Sequence, residues 1–163
     1  MELKKHLKLW HVLVIAYYIF FAIYIIVGLQ PAGAVEYDIS NTLSIPGIDL
    51  ISDVTSLSVN NGELDTPDTI VGSYTQSKNK TLLIGHSTTV FEHLADVMVS
   101  DEVIYGGNSY TVISRFVTTK TDISMDEILR PEDKDTLVLM TCAGELLPGG
   151  DATHRLILLA TRN

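Results

Sequence analysis

Hydrophobic residues form one long run near the N-terminus and many short runs after it. The segment from Val12 to Leu29 contains no charged side chain. Together with Leu9 and Trp10 it reaches the roughly 20 residues that cross a bilayer core as a helix. A run that is apolar on all sides is not typical of a core helix in a small globular domain. We therefore predict a transmembrane anchor over residues 9–29.

The charges on either side of this run predict its orientation. Three lysines precede it within residues 1–8, and no further Lys or Arg occurs before Lys78. Because positive residues stay on the cytoplasmic side, we expect a single-pass protein of the cell membrane with residues 1–8 in the cytoplasm. Ala32–Ala34 offers small residues for signal-peptide cleavage. The apolar run is longer than a signal peptide needs, which favours an uncleaved anchor.

After a linker over residues 30–42, short apolar segments alternate with turn residues, and this pattern predicts one all-β domain over residues 43–163, a barrel or a sandwich. Pro-Gly interrupts the first strand, which is typical of an edge strand. Residues 69–74 fit a strand or a short helix. A short helical or turn segment is expected at 91–97, and one helical turn at 126–129. The predicted strands are Ser44–Leu50, Lys80–His86, Asp101–Tyr105, Ser109–Val117, Thr136–Cys142 and Leu156–Thr161.

The part of the chain after the anchor is acidic and has a single cysteine. It carries 8 Lys and Arg against 19 Asp and Glu, a net charge of −11. Nucleic acid is not expected as a partner, because binding phosphates needs clustered cations. Cys142 cannot form an internal disulfide, so its thiol is free, paired with another molecule or used in chemistry.

Three polar side chains stand at the ends of predicted strands. His86 ends one strand, Cys142 ends another, and Arg155 begins the next after a predicted loop over Ala143–His154. If the last two strands pair antiparallel, Cys142 and Arg155 become neighbours. Positive charge favours the reactive thiolate, an imidazole can exchange protons with the leaving amine, and a guanidinium can stabilise an oxyanion. Together the three residues indicate nucleophilic cysteine chemistry.

These residues also fit other interpretations. A single cysteine is often only a small buried hydrophobe. His154 is a rival general base, although adjacent residues of a strand point to opposite faces. Zinc binding by Cys142, His86 and His154 would lack the spacing of the common zinc motifs, so no metal is predicted.

The same residues resemble the sortases, which are membrane-anchored cysteine transpeptidases of the bacterial surface. The resemblance extends over about Leu43–Arg162. The segment Val138–Cys142 reads VLMTC and is similar to the TLxTC signature of the family, with Val138 in place of the first Thr. The segment between His86 and Phe91 is short for the family. The other matching residues are Gly85-His86-Ser87, Phe91-x-x-Leu94 and Arg155.

The resemblance implies an eight-stranded β-barrel with short helices and a thioester reaction. Cys142 would cleave an LPXTG-like sorting signal after its Thr. An amine of a cell-wall (peptidoglycan) precursor or of a pilin would then resolve the thioester. His86 would act as general acid and base and Arg155 as the oxyanion or positioning group, with Thr141 supporting the oxyanion site. The implied partners are surface proteins or pilins that carry a C-terminal sorting signal.

Other functions stay open beside this one. A cysteine protease would use water in place of the amine, and a membrane-tethered β-domain would only bind a partner. Asp122, Asp126 and Glu127 form an acidic cluster near a loop that binds calcium in some sortases, but no cofactor is predicted. The chain ends at Asn163 directly after its last strand, which favours the classes with a single N-terminal anchor.

Overall fold

The computed structural model describes residues 41–60, 63–148 and 151–163. The predicted anchor and most of the linker lie outside these residues. Within the described part of the chain, no helix is long and apolar enough to span a membrane. The predicted domain start at residue 43 falls one residue after the first strand begins, at Thr42.

The described residues form ten strands and a few short helical segments. The helix α1 covers Met125–Ile128, and 3₁₀ turns cover Pro46–Ile48, Leu94–Asp96 and Lys120–Asp122. The strands are β1 (Thr42–Ile45), β2 (Leu50–Ser56), β3 (Val59–Asn60), β4 (Glu63–Leu64), β5 (Val71–Ser77), β6 (Lys80–Ile84), β7 (Glu102–Tyr105), β8 (Asn108–Thr119), β9 (Thr136–Leu146) and β10 (Ala152–Arg162).

Eight of these strands close into a barrel in the order β1-β2-β5-β6-β9-β10-β8-β7. The pairs β2–β5 and β6–β9 are parallel, and the other pairs are antiparallel. Strands β3 and β4 form a separate two-stranded sheet. The predicted all-β barrel is thus confirmed. Residues 69–74, for which a strand and a short helix were both expected, contribute to strand β5.

The prediction of an edge strand at Ser44–Leu50 is wrong. The segment forms two antiparallel strands, and β1 pairs with β2 on one side and β7 on the other. Pro46 lies in the 3₁₀ turn between them, where its missing N–H interrupts no ladder. Its carbonyl accepts a hydrogen bond from the backbone N–H of Asp49.

Strand β9 is buried on both faces, which decides where the site lies. Leu137 and Leu139 belong to the barrel core, whereas Val138 and Met140 belong to a second apolar cluster with Leu82, Leu129 and Ile157. Residues of alternating parity point to opposite faces of a strand. Cys142 therefore shares the outer face with Val138 and Met140, on the side of the barrel that the residues around α1 cover.

Candidate active site

Cys142 lies directly opposite Arg155 in the antiparallel ladder between β9 and β10. This is the pairing expected from the sequence. Since opposite residues of a ladder point to the same face, both side chains lie on the outer face of the barrel. The thiol of Cys142 is free and half-buried.

The predicted loop at Ala143–His154 is wrong for most of its length. Strand β9 continues to Leu146 and β10 begins at Ala152, so Cys142 and Arg155 lie inside strands and not at strand ends. The ladder continues past them through a register shift between Ala152 and His154. Gly144 adopts a positive φ of 77° there, a conformation that a side chain would disfavour.

His86 comes to the same end of the sheet through a parallel pairing. The ladder between β6 and β9 ends with Ile84 opposite Met140, and His86 and Cys142 each follow two residues later. Two strands that run in the same direction carry these residues to one place, on the outer face. A tight turn then holds the histidine, because its carbonyl accepts the N–H groups of Thr89 and Phe91 at 3.2 and 3.0 Å.

Thr141 is buried and its hydroxyl is committed to the protein. Its Oγ1 donates a hydrogen bond of 2.7 Å to the carbonyl oxygen of Gly85. The proton of the hydroxyl therefore points at the backbone beside His86. In this geometry Thr141 fixes the histidine segment against β9.

Arg155 is held by three hydrogen bonds and its side chain is 14% exposed. Nη1 donates to the carbonyls of Ala152 and His154, both at 2.9 Å, and Nη2 donates to Oδ1 of Asp151 at 2.7 Å. A guanidinium has five N–H donors. Nothing in residues 41–60, 63–148 and 151–163 accepts the other two.

Sequence reasoning missed Asp151 and Lys120, which complete this arrangement. The Lys120 ammonium binds Oδ2 of Asp151, the oxygen that Arg155 does not use. Hydrogen bonds from Lys120, from Arg155 and from the backbone N–H of Ala152 hold the pKa of Asp151 well below its usual range. The sequence offered one signal for Asp151. A buried guanidinium needs an acceptor, and Asp151 lies four residues before Arg155.

A groove of about 740 Å³ brings these residues together. His86, Cys142 and Arg155 all line it, beside Asp151 and Lys120. A nucleophile, a proton carrier and a cation thus face one groove with both polar and apolar lining, which suits attack on the carbonyl of a bound peptide. Its apolar lining includes Val59, Leu64, Ile84, Ile123, Met125 and Leu129.

The rival base His154 does not face this groove. It pairs with Ala143 in the ladder, and its Nδ1 lies 2.8 Å from the hydroxyl of Thr153. It is absent from the described residues that line the groove. Across the parts of the chain that the structure covers, no group of three or more His, Cys, Asp or Glu side chains is arranged to hold a metal ion.

Comparison with known families gives one match over most of the chain. The family model described as "Sortase domain" matches residues 43–163. A search of curated protein sequences gives no match.

Solved structures of similar fold come from several bacteria. Sortase A from Corynebacterium diphtheriae, in a lid mutant, is 25% identical with a TM-score of 0.57, and the alignment covers 83% of this chain and 75% of that one. Sortase C from Clostridium perfringens SM101 is 22% identical with a TM-score of 0.54, covering 75% and 68%. Sortase C1 from Streptococcus agalactiae is 20% identical with a TM-score of 0.57, covering 75% and 66%.

Proposed function

The chain belongs to the sortase family, and from that membership we propose that it is a cysteine transpeptidase with Cys142 as nucleophile. The observation that carries the proposal is the pairing of Cys142 with Arg155, with His86 two residues beyond the end of the neighbouring parallel strand β6. Sortase membership supports the proposed reaction type. The three side chains around one groove support its assignment to named residues.

In the first step, the Cys142 thiolate attacks the carbonyl carbon of the Thr in an LPXTG-like sorting signal. A C–S bond forms and the carbonyl oxygen becomes negatively charged. The two unused N–H donors of Arg155 stabilise that oxyanion. When the oxyanion collapses, the C–N bond to the next residue breaks and protonated His86 gives its proton to the leaving amine. The product is a thioester on Cys142.

In the second step, an amine of a peptidoglycan precursor or of a pilin attacks the thioester. Neutral His86 takes a proton from the attacking nitrogen, a new amide bond forms, and the C–S bond breaks to release the thiolate. Cys142 and His86 thus act in both halves of the reaction, and His86 changes from general acid to general base.

The lining of the groove supports a peptide of this kind as the substrate. Apolar side chains from several separate segments face it, among them Leu64, Ile84 and Leu129. Such a surface suits the Leu and Pro of an LPXTG-like signal, which would bury apolar area on binding. The proposed donors are therefore surface proteins or pilins that carry the signal at their C-termini, presented to an enzyme anchored on the outer face of the cytoplasmic membrane.

The test is capture of the acyl-enzyme in the full chain. The protein in detergent is incubated with a library of LPXTG-like peptides, and intact-mass spectrometry reports an adduct on Cys142. Hydroxylamine then replaces the natural amine and releases a peptide hydroxamate. Cys142→Ala is expected to give neither the adduct nor the hydroxamate, and peptide cleavage by that variant would refute the assignment of the nucleophile.

The same reaction separates the alternative functions. A cysteine protease gives the free peptide acid whether or not an amine is added, whereas a transpeptidase gives the amide when an amine is present. A domain that only binds partners gives no adduct. Its thiol would also be alkylated with the same pH dependence in the wild type and in His86→Ala.

A further inference from the structure

A charged cluster in the groove joins one residue of the chemistry proposed above, Arg155, to two residues that play no direct part in it. It consists of Lys120, Asp151 and Arg155, in which one carboxylate binds both cations through different oxygens. The side chain of Arg155 is 14% exposed, that of Asp151 38% and that of Lys120 54%. The carboxylate therefore bridges a largely buried cation and a solvent-exposed one.

The two cations belong to different parts of the site. Arg155 is on β10 opposite the nucleophile, and Asp151 immediately precedes that strand. Lys120 begins the 3₁₀ turn that follows β8. The chain from this turn to Leu129 carries three apolar residues of the groove lining, and its backbone hydrogen bonds at residues 124–129 span only three or four positions. We call residues 120–129 the apolar wall of the groove. Asp151 thus connects this wall, through Lys120, to the Arg155 side chain on β10.

We propose that Asp151 is a positioning residue that couples the apolar wall over residues 120–129 to the orientation of Arg155. The proposal rests on the proposed transpeptidase function for its kinetic readout, while the coupling itself can be measured without it. Two of the three contacts of Arg155 are to carbonyls of its own strand region, at Ala152 and His154. Among the hydrogen bonds of Arg155 within the described residues, only the one to Asp151 leads to the wall, through Lys120.

The geometry predicts different effects for the two partners of Asp151. Lys120→Met frees the wall but leaves the bond between Asp151 and Arg155, so we expect KM for the sorting peptide to rise by about three- to fivefold with little change in kcat. Asp151→Ala removes both bonds. Because a misplaced catalytic group costs up to about 100-fold in rate, we expect kcat to fall by about 10- to 100-fold in that variant, with the same rise in KM.

Three further measurements separate positioning from a general structural effect. Asp151→Glu keeps the charge and should recover part of the lost kcat. The rise in KM caused by Lys120→Met should disappear in the Asp151→Ala background, since the two residues act through one bond. Glu145→Gln is the matched control, because it removes one carboxylate from the same hairpin. Glu145 makes none of the ion pairs found in the described residues, so this variant should behave like the wild type.

Hydrogen exchange in the full chain tests the coupling independently of activity. Asp151→Ala and Lys120→Met should both speed amide exchange over residues 120–129, and Glu145→Gln should not. Faster exchange without any acyl-enzyme in the wild type would uphold the coupling and refute the proposed function. Unchanged exchange in both variants, or a kcat for Asp151→Ala equal to that of the wild type in an active enzyme, would overturn the coupling.

Discussion

The buried hydroxyl of Thr141 donates a hydrogen bond to the carbonyl of Gly85 at 2.7 Å, and each of these residues immediately precedes a residue of the proposed catalytic pair. Thr141 precedes Cys142 and Gly85 precedes His86. The bond lies just beyond the last pair of the parallel ladder between β6 and β9, where regular backbone pairing ends. The bond therefore holds the two chain segments together beyond the ladder, next to the proposed nucleophile Cys142 and the proposed proton carrier His86.

Replacing Thr141 by Val tests this bond, because Val has a similar shape but no hydroxyl. The buried carbonyl of Gly85 would lose its side-chain donor, and we expect the free energy of unfolding to fall by about 1–3 kcal/mol. We also expect lower kcat, since the histidine segment is less firmly held. Urea denaturation and peptide-cleavage kinetics measure the two effects. Thr141→Ser keeps the hydroxyl and serves as the control; equal losses in both variants would count against the hydrogen bond.

Gly85→Ala should damage the turn that carries His86. A Cβ at this position would lie 2.6 Å from Cγ1 of Val90 and 2.8 Å from Cδ2 of Phe91, whose ring is fully buried. We expect a loss of about 1–3 kcal/mol in unfolding free energy from overpacking. At Gly47 the nearest atom would be Oδ2 of Asp101 at 3.4 Å. Thermal unfolding of Gly47→Ala as the matched control should therefore show a much smaller loss.

Arg155→Gln should lower the rate far more than it weakens peptide binding. The substitution removes the positive charge that faces the expected oxyanion while keeping a neutral donor. Loss of one oxyanion-stabilising group costs about 100- to 1,000-fold in kcat. Steady-state kinetics with a sorting peptide measure the effect. Arg115, which donates to the Ala95 carbonyl and does not line the groove, provides the control variant Arg115→Gln. A rise in KM alone would show that Arg155 only binds the peptide.

Tyr110 should make the stability of the barrel sensitive to alkaline pH. Burial, then the hydrogen bond to Asp135, raises the pKa of Tyr110 from 10.0 to about 12. The unfolded chain therefore loses this proton before the folded protein does. The stabilising contribution of Tyr110 is complete below pH 10 and is lost as the pH rises through about 12.

Tyr110→Phe isolates that contribution. At neutral pH we expect the variant to lose about 1–3 kcal/mol in unfolding free energy, because the bond of 3.0 Å to the carboxylate of Asp135 is removed. The difference between wild type and variant should shrink between pH 10 and 12, as followed by urea denaturation at each pH. A difference that stays constant across this range would contradict the assignment.

Much of the fold and part of the site follow from local patterns in the sequence. Runs of β-branched and aromatic residues locate most of the barrel strands, and period-two alternation places Val138, Met140 and Cys142 on one face. Antiparallel pairing of the last two strands then brings Cys142 to Arg155, which the register confirms. Two features were predicted wrongly. Pro46 ends β1 without marking an edge strand, because β1 pairs on both sides. Gly144 lies inside β9, where a loop was expected.

The sequence by itself determined the β character of the domain, its resemblance to the sortases and the identity of the three polar residues to test. The strand pattern left a barrel or a sandwich open, and the tertiary structure shows that the sheet closes, so that β1 has neighbours on both sides. The tertiary structure also decided how the groove residues are held. Lys120 and Asp151 are 31 positions apart in the sequence, and Thr141 and Gly85 are 56 apart. Neither pair belongs to a local sequence motif. Side-chain contacts over such separations depend on strand register, and propensity and periodicity describe only neighbours along the chain.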